Sequence, residues 1–441
     1  MSRRFLMVSP YFVPMNYVGA KRALHLARHL PELGWDPAVY CMPEEFELDP
    51  ALCSLIPDCP IDRGFRTGSL ARWQDRKAQA AKDRAASSQY TAQEQQSAVA
   101  QGAPSPLTLP FRAFKGLFSP FDRFTAHVPG SVLRARRFLK AQGCELIYAN
   151  AGPFSAIFLA DTLARITGLP LILDLRDPWT IEPNYRAGWT PGGRKVMDRI
   201  EARAFRRASR IILNTEASRD AYIEAYDGRI PADRFTYVRN QFDPELYGSP
   251  APAPAAKDAF RIIYYGHLRP TKNAGLFLSA LRQFIDAHSL EPEMLEFITL
   301  GEVTAGDAAA IEELGLTEYV HHRPWLPFTD SPSLLGSASL LLDLMGPNHH
   351  LQISGKIYDY LASGRPILSV SPCTELDEIF SQTGAGERVD LDEDSIVSAL
   401  GRALNAHQDA RPFSPDKDAV SRYTARPAAE AIAHVFDEAT R

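Results

Sequence analysis

The chain has 441 residues, 45% of them hydrophobic and 23% charged. One hydrophobic core stops growing at roughly 250–300 residues, so two or three domains are expected, and the composition excludes a disordered or fibrous chain. No run reaches the ~18 apolar residues that a membrane-spanning helix needs.

The start, Met1-Ser-Arg-Arg before Phe5–Val8, imitates a secretion signal only briefly. Its apolar run stops at Ser9-Pro10 and reads as a first buried strand. Five cysteines (Cys41, Cys53, Cys59, Cys144, Cys373) lack CxxC spacing, so neither a disulfide framework nor a zinc site is supported. A cytoplasmic location is expected.

The net charge of −5 is unevenly spread: between Arg63 and Lys140 there are 14 Lys/Arg and 4 Asp/Glu, a balance of +10. Subtraction leaves −15 for the rest of the chain (−5 − 10). Within this basic block, Gln79–Gln101 has the composition of a solvated insertion. Residues 111–124 interleave Arg112, Lys115 and Arg123 with Phe111, Phe114, Phe118, Phe121 and Phe124, the pattern of a surface that meets anionic lipid headgroups. No nucleic-acid-binding signature accompanies it, and the rest of the chain is acidic, so a nucleic-acid partner is not expected.

In chain order, short apolar strands alternate with segments of helical period, the pattern of parallel sheets flanked by helices. The spacing predicts strands at Phe5–Val8, Pro37–Tyr40, Glu145–Tyr148, Leu171–Leu173 and Arg210–Leu213, with helices over Gly19–Leu33, Phe154–Thr167 and Arg194–Ala208. Proline at every second position from Gly248 to Ala256 then interrupts the pattern as a stiff connector. The alternation restarts with strands at Phe260–Tyr265, Leu295–Leu300, Ser339–Asp343 and Pro366–Val370. Helices are predicted over Ala274–His288, Lys356–Ala362, Asp394–Ala406 and roughly Ala419–Ala439. The expected fold class is α/β: two doubly wound halves, 1–247 with a basic insertion at about 66–118 and 259–412, a linker at 248–258, and a closing helix within 413–441.

The chemistry-bearing segments follow predicted strands, where doubly wound folds bind ligands. Ser9–Gly19 has no GxGxxG; Gly19 either lets backbone approach a phosphate or sugar at a helix start, or serves a simple turn. In Asp174-Leu-Arg-Asp-Pro-Trp179, charges at a strand end either pair as Arg176–Asp177 or face a substrate. Tyr264–Asn273 places Gly266 beside His267, Arg269 and Lys272, a set of positive groups suited to a diphosphate. In SGKIYDYLASGRPIL (Ser354–Leu368), the amides of Ser354 and Gly355 with Lys356 suit phosphate, and Asp359 suits ribose hydroxyls; the alternative is a plain helix with a Lys356–Asp359 pair. His349-His350 reads as loop histidines and Ser155 as a helix cap.

SGKIYDYLASGRPIL resembles the donor-site helix of the retaining family-four (group 1) glycosyltransferases of GT-B fold, and DLRDPW and YYGHLRPTKN resemble segments of the same family. The resemblance implies two Rossmann-like domains facing a cleft, acceptor on the N-terminal side and nucleotide sugar on the C-terminal side. It implies a diphosphate-binding basic pair of which Lys272 is one member; the other, usually an arginine, falls on His267, with Arg269 as a substitute. Of the family's two glutamates eight residues apart, the second falls on Asp359 and the first on Leu351; Arg176-Asp177 stand where a His-Asp pair is frequent.

The expected function is retaining transfer of a sugar from a nucleoside diphosphate, UDP first, to a polysaccharide or lipid-linked precursor. Asp177, Arg176 and Lys272 are the expected catalytic residues, with no metal or cofactor and with contact to the inner membrane face. The alternatives are a non-catalytic GT-B protein that binds nucleotide or a partner transferase, and a sugar-nucleotide epimerase.

Overall fold

The computed structural model describes residues 2–15, 17–43, 50–65, 121–122, 124–247, 254–255, 258–324, 326 and 330–441. The basic insertion, most of the 111–124 segment and most of the proline linker lie outside the described residues.

Seven parallel strands build the first sheet: β1 (Arg3–Val8), β2 (Trp35–Tyr40), β3 (Ile61–Asp62), β4 (Leu146–Ala151), β5 (Leu171–Leu175), β6 (Arg210–Leu213) and β7 (Phe235–Tyr237). Six parallel strands build the second: β8 (Phe260–Tyr265), β9 (Leu295–Leu300), β10 (Val320–Arg323), β11 (Leu340–Leu344), β12 (Ile367–Val370) and β13 (Gly386–Val389). The spatial orders β3-β2-β1-β4-β5-β6-β7 and β10-β9-β8-β11-β12-β13 both reverse direction beside their first strand, between β1 and β4 and between β8 and β11. Such switch points open a crevice at the carboxyl ends of the strands.

Parallel strands are covered on both faces and so need apolar residues at successive positions. In β1, Phe5 and Met7 enter one hydrophobic cluster while Leu6 and Val8 enter another. The outer face of each sheet has its own core, and a third cluster runs between the units from Phe5 and Ile172 through Val238, Phe242 and Tyr247 to Ile263 and Tyr360. The halves thus share apolar burial.

The sequence-predicted strands are all present; β6, β8 and β9 have the expected ends and the others differ by one to three residues. Polar β10 (Val-His-His-Arg) and β13 (Gly-Glu-Arg-Val) escape prediction because they are edge strands, each with one neighbour and without an apolar run. The last predicted helix is two helices, Lys417–Ser421 and Ala425–Ala439. The chain recrosses between the units at the break, where the Phe242 N–H donates to the Tyr423 carbonyl at 3.1 Å. The final helix then seats Phe436 against Phe5, Trp35 and Tyr148 of the first sheet, with ring centroids 4.9–5.5 Å apart.

Two expectations change near residue 122. Phe121 and Phe124 pack inward, 5.9 Å from Phe158 and 5.7 Å from Tyr11 between ring centroids, and so do not belong to a lipid-facing surface. Ser155 is the first residue of its helix rather than its cap: its N–H donates to Asp122 Oδ2 at 2.8 Å, so the cap comes from 33 residues upstream. Among the described residues, no helix is long and apolar enough to cross a membrane.

Candidate active site

Both switch points open on one cavity of about 360 Å³ between the units. Arg176, Asp177, Gly266, His267, Arg269, Lys272, Ser354, Gly355, Lys356 and Asp359 all line it. Gly19 does not. A Cβ there would meet Tyr11 at 2.7 Å and Arg176 Nη1 at 2.8 Å, so its missing side chain makes room for the protein's own groups rather than for a ligand.

On the C-terminal wall, the turn after β8 carries Gly266, where a Cβ would lie 2.6 Å from Lys356 Cε. Only glycine leaves that lysine its path. Lys356 opens the helix Lys356–Ser363 and lies across Tyr264, its Nζ 5.1 Å from the ring centroid and 3.8 Å from Asp343 Oδ1. Burial by itself would lower the Lys356 pKa, but Tyr264, Asp343 and Asp359 outweigh it and hold the ammonium above its ordinary range.

Lys272 ends the short turn Pro270–Lys272, and Asn273 follows in the left-handed region at φ 54°. Burial first, and then the charge of Lys356, push Lys272 down to about 8. Two cations therefore face one cavity, and the charge of Lys272 is not fully offset by the anions around it. A multiply charged anion is the ligand that this arrangement favours.

Two expected cations are engaged otherwise. His267 Nδ1 accepts the Glu302 N–H at 2.8 Å, and burial followed by Arg269 holds its pKa below the ordinary histidine value. It is a neutral strut at neutral pH, so the expected positive charge at His267 is absent. Arg269 is half-exposed and reaches the Glu302 carboxylate at 3.3 Å. Lys356 is the group that adds charge beside Lys272.

Asp359 spans the cleft instead of pairing along its own helix with Lys356. Lys21 Nζ of the first unit donates to its oxygens at 3.0 and 2.8 Å, and the Tyr247 hydroxyl donates to Oδ1. Leu351, which has no polar side chain, contributes its carbonyl, accepting from Thr215 at 2.7 Å and Ser218 at 2.6 Å across the same divide.

The N-terminal wall carries Arg176 and Asp177 on the loop after β5. Beneath it, Glu201 is buried and accepts from Thr180 N–H (3.0 Å), Thr180 Oγ1 (2.6 Å), Tyr222 (3.0 Å) and Tyr226 (2.9 Å). Tyr222 in turn accepts the Trp179 N–H at 2.7 Å. The loop is thus fixed from below while its charged end stays free. Arg176 and Asp177 form no salt bridge with each other among the described residues, and Arg176 Nη1 is buried without a hydrogen-bond partner.

Sequence reasoning missed Lys21, Arg22, Tyr247 and His349. The first two stand just after Gly19 at a helix start facing the crevice, which was the available signal. His349 is a loop residue, as expected, and from that loop it reaches Asn184 of the opposite wall at 3.4 Å. Among the described residues, no three of His, Cys, Asp and Glu gather as a metal-ligand set.

Residues 19–241, half of the chain, match the model of the glycosyl transferase 4-like domain. No curated protein matches the sequence. Solved structures similar over the whole chain include Anabaena Alr3699/HepE in complex with UDP and glucose (15% identity, TM-score 0.61, covering 98% of this chain and 99% of that one). Sucrose-phosphate synthase from Thermosynechococcus elongatus is similar too (12% identity, TM-score 0.62, 99% and 98%). So is a UDP-N-acetylglucosamine 2-epimerase (12% identity, TM-score 0.54, 100% and 98%). At these identities the likeness is one of fold. With two doubly wound sheets facing a cleft and the matched domain spanning half of its length, the chain belongs to the glycosyl transferase 4-like family and has the GT-B fold.

Proposed function

We propose that the protein is a retaining glycosyltransferase that moves a sugar from a nucleoside diphosphate, UDP first, to a polysaccharide or lipid-linked precursor. The observation that carries this reading is the convergence of Lys272, Lys356 and the N-terminus of the helix Lys356–Ser363 on one cavity. Breaking the bond between the anomeric carbon and the diphosphate oxygen places negative charge on the leaving group. Two ammonium groups and a positive helix end aimed at that position stabilise it in the transition state.

No nucleophile stands behind the sugar in this reading. The acceptor hydroxyl attacks from the face that the diphosphate leaves, its oxygen bonds to the anomeric carbon, and its proton passes to the departing phosphate oxygen. Asp177 and Arg176, on the opposite wall, orient the acceptor. The basic insertion would bring the enzyme to a lipid-linked acceptor on the inner membrane face, with the protein otherwise cytoplasmic. Phe121 and Phe124 are removed from that surface by their packing.

An epimerase shares the fold, and a non-catalytic nucleotide-binding protein is the other rival. Incubation with UDP-glucose separates them: a transferase releases UDP slowly even to water, whereas an epimerase or a binder does not release it at a rate set by Lys272. Activity is expected to persist in excess EDTA, because the lysines meet the diphosphate charge. Loss that magnesium or manganese restores would overturn the metal-free reading.

The lowered Lys272 pKa adds a pH test. UDP needs the ammonium form, so affinity should hold at pH 7 and fall as pH rises through about 8. Beyond that point the fall approaches roughly tenfold per pH unit. In Lys272→Arg the charge persists and the fall should vanish. Calorimetric titration of UDP between pH 7 and 9 reads both, and a flat wild-type profile would remove Lys272 from the diphosphate.

A further inference from the structure

Arg176 has an arrangement that the transfer chemistry leaves unexplained. Its guanidinium lies over two glycines from different elements: a Cβ on Gly19 would stand 2.8 Å from Nη1, and one on Gly152 would stand 3.6 Å from Nε. Gly152 is held at φ 126°, a region that other residues rarely adopt. The seat is therefore opened by the missing side chain of Gly19, while Gly152 supplies the backbone turn beside it. Yet Arg176 Nη1 is buried without a hydrogen-bond partner, and among the described residues the guanidinium forms no salt bridge, although Asp177 is its neighbour in sequence. A guanidinium carries five N–H donors, and a half-buried one without an anion is costly unless a ligand supplies it.

Its surroundings suit a saccharide. Tyr17 and Tyr185 are 50% and 39% exposed, among the few large apolar side chains that remain exposed in the described residues. Tyr17 lies against Tyr11, ring centroids 4.0 Å apart, and both rings border the Gly19 seat of Arg176. Tyr185 packs edge-on against Phe154 at 5.5 Å, and its hydroxyl interacts electrostatically with Asp177 and Arg176. Rings with an apolar face and a polar edge stand ready beside a free cation. Lys272 and Lys356 serve the opposite wall, so the diphosphate does not need Arg176.

We infer that Arg176 recognises an anionic group on the acceptor, so that the acceptor is a saccharide bearing a phosphate or a carboxylate rather than a neutral sugar. This rests on the glycosyltransferase reading above and adds the acceptor's chemical class to it. The planar fork of Arg176 matches either oxyanion in two-pronged contact.

The test titrates methyl glucoside, methyl glucuronide and glucose 1-phosphate into UDP-saturated protein, followed by ligand-observed NMR. At least one anionic probe should bind about tenfold or more tightly than methyl glucoside, the worth of one charge-assisted contact; whether the carboxylate or the phosphate is preferred identifies the source. Arg176→Gln should erase the preference, Arg176→Lys should keep part of it, and both should retain wild-type UDP affinity, which also reports folding. Equal binding of neutral and anionic probes, or a preference that survives in Arg176→Gln, overturns the inference. A loss of UDP affinity in Arg176→Gln also overturns it, by moving Arg176 to the donor. A wild-type protein that prefers anionic saccharides but neither binds UDP nor releases it from UDP-glucose overturns the transferase reading and leaves the Arg176 assignment standing.

Discussion

Lys272→Ala should abolish sugar transfer and weaken UDP binding by roughly ten- to a hundred-fold, the loss of about 1.5–3 kcal/mol for a hydrogen bond to a charged group. The fold should not suffer. Among the described residues the one hydrogen-bond partner of the ammonium is the Met345 sulfur, at 3.3 Å, and it is held at a lowered pKa by burial and by Lys356. Removing it relieves that repulsion, so thermal unfolding of the unliganded variant should occur no earlier than in wild type. UDP should then raise the melting temperature of the variant less than that of the wild type, because a ligand stabilises in proportion to its affinity for the folded state. Unchanged UDP affinity would refute the role of Lys272. Lost affinity together with early melting would mean that the side chain supports the turn Pro270–Lys272 instead.

Arg22→Met should be the most damaging single change to stability among those considered. Arg22 is buried, and its Nε and Nη2 donate to Asp174 at 2.8 and 3.2 Å. Its remaining donors hold the carbonyls of Val238 (3.1 Å) and Arg239 (3.0 Å) and the Gln241 side chain (3.2 Å). One side chain thus ties the first helix to β5 and to the segment that carries the chain toward the second unit. Removing one partner of a buried pair leaves an uncompensated charge, here on fully buried Asp174, and costs about 3–5 kcal/mol. Transfer should fall as well, because Asn240 and Gln241 line the cavity. Adding Asp174→Leu should recover much of the lost stability, since an apolar replacement of both partners removes the stranded charge. Urea unfolding of the two singles and the double checks this, and a single variant within about 1 kcal/mol of wild type would show that Asp174 is neutralised in another way.

The elements that could be read in advance were those whose cause is local. Leu295–Leu300 and Phe260–Tyr265 are buried on both faces, so their residues had to be apolar in succession and their bounds matched the structure. The helix Val128–Ala141, absent from the sequence-based expectations, carries Pro129 and Gly130 in its first turn, where proline is well placed. The site divided along the same line. Ten candidates line the cavity: six follow directly on β5 or β8, and four stand at or in the helix Lys356–Ser363 between β11 and β12, positions that the alternation of elements already marks.

The sequence by itself determined the α/β class, the two halves and most of the charged residues that crowd the crevice, since apolar period and loop position are set within a few residues of chain. Only the tertiary structure decided what each of them does there. Lys21 meets Asp359 across 338 positions, and Arg22 meets Asp174 across 152. Gly19 makes room for Arg176, and His267 spends its ring nitrogen on Glu302. Lys356, not Arg269, adds the charge that lowers the pKa of Lys272 most. A charged side chain selects its partner by distance in the folded state, and distances between residues far apart along the chain are set by how two sheets close on each other, which no local pattern records.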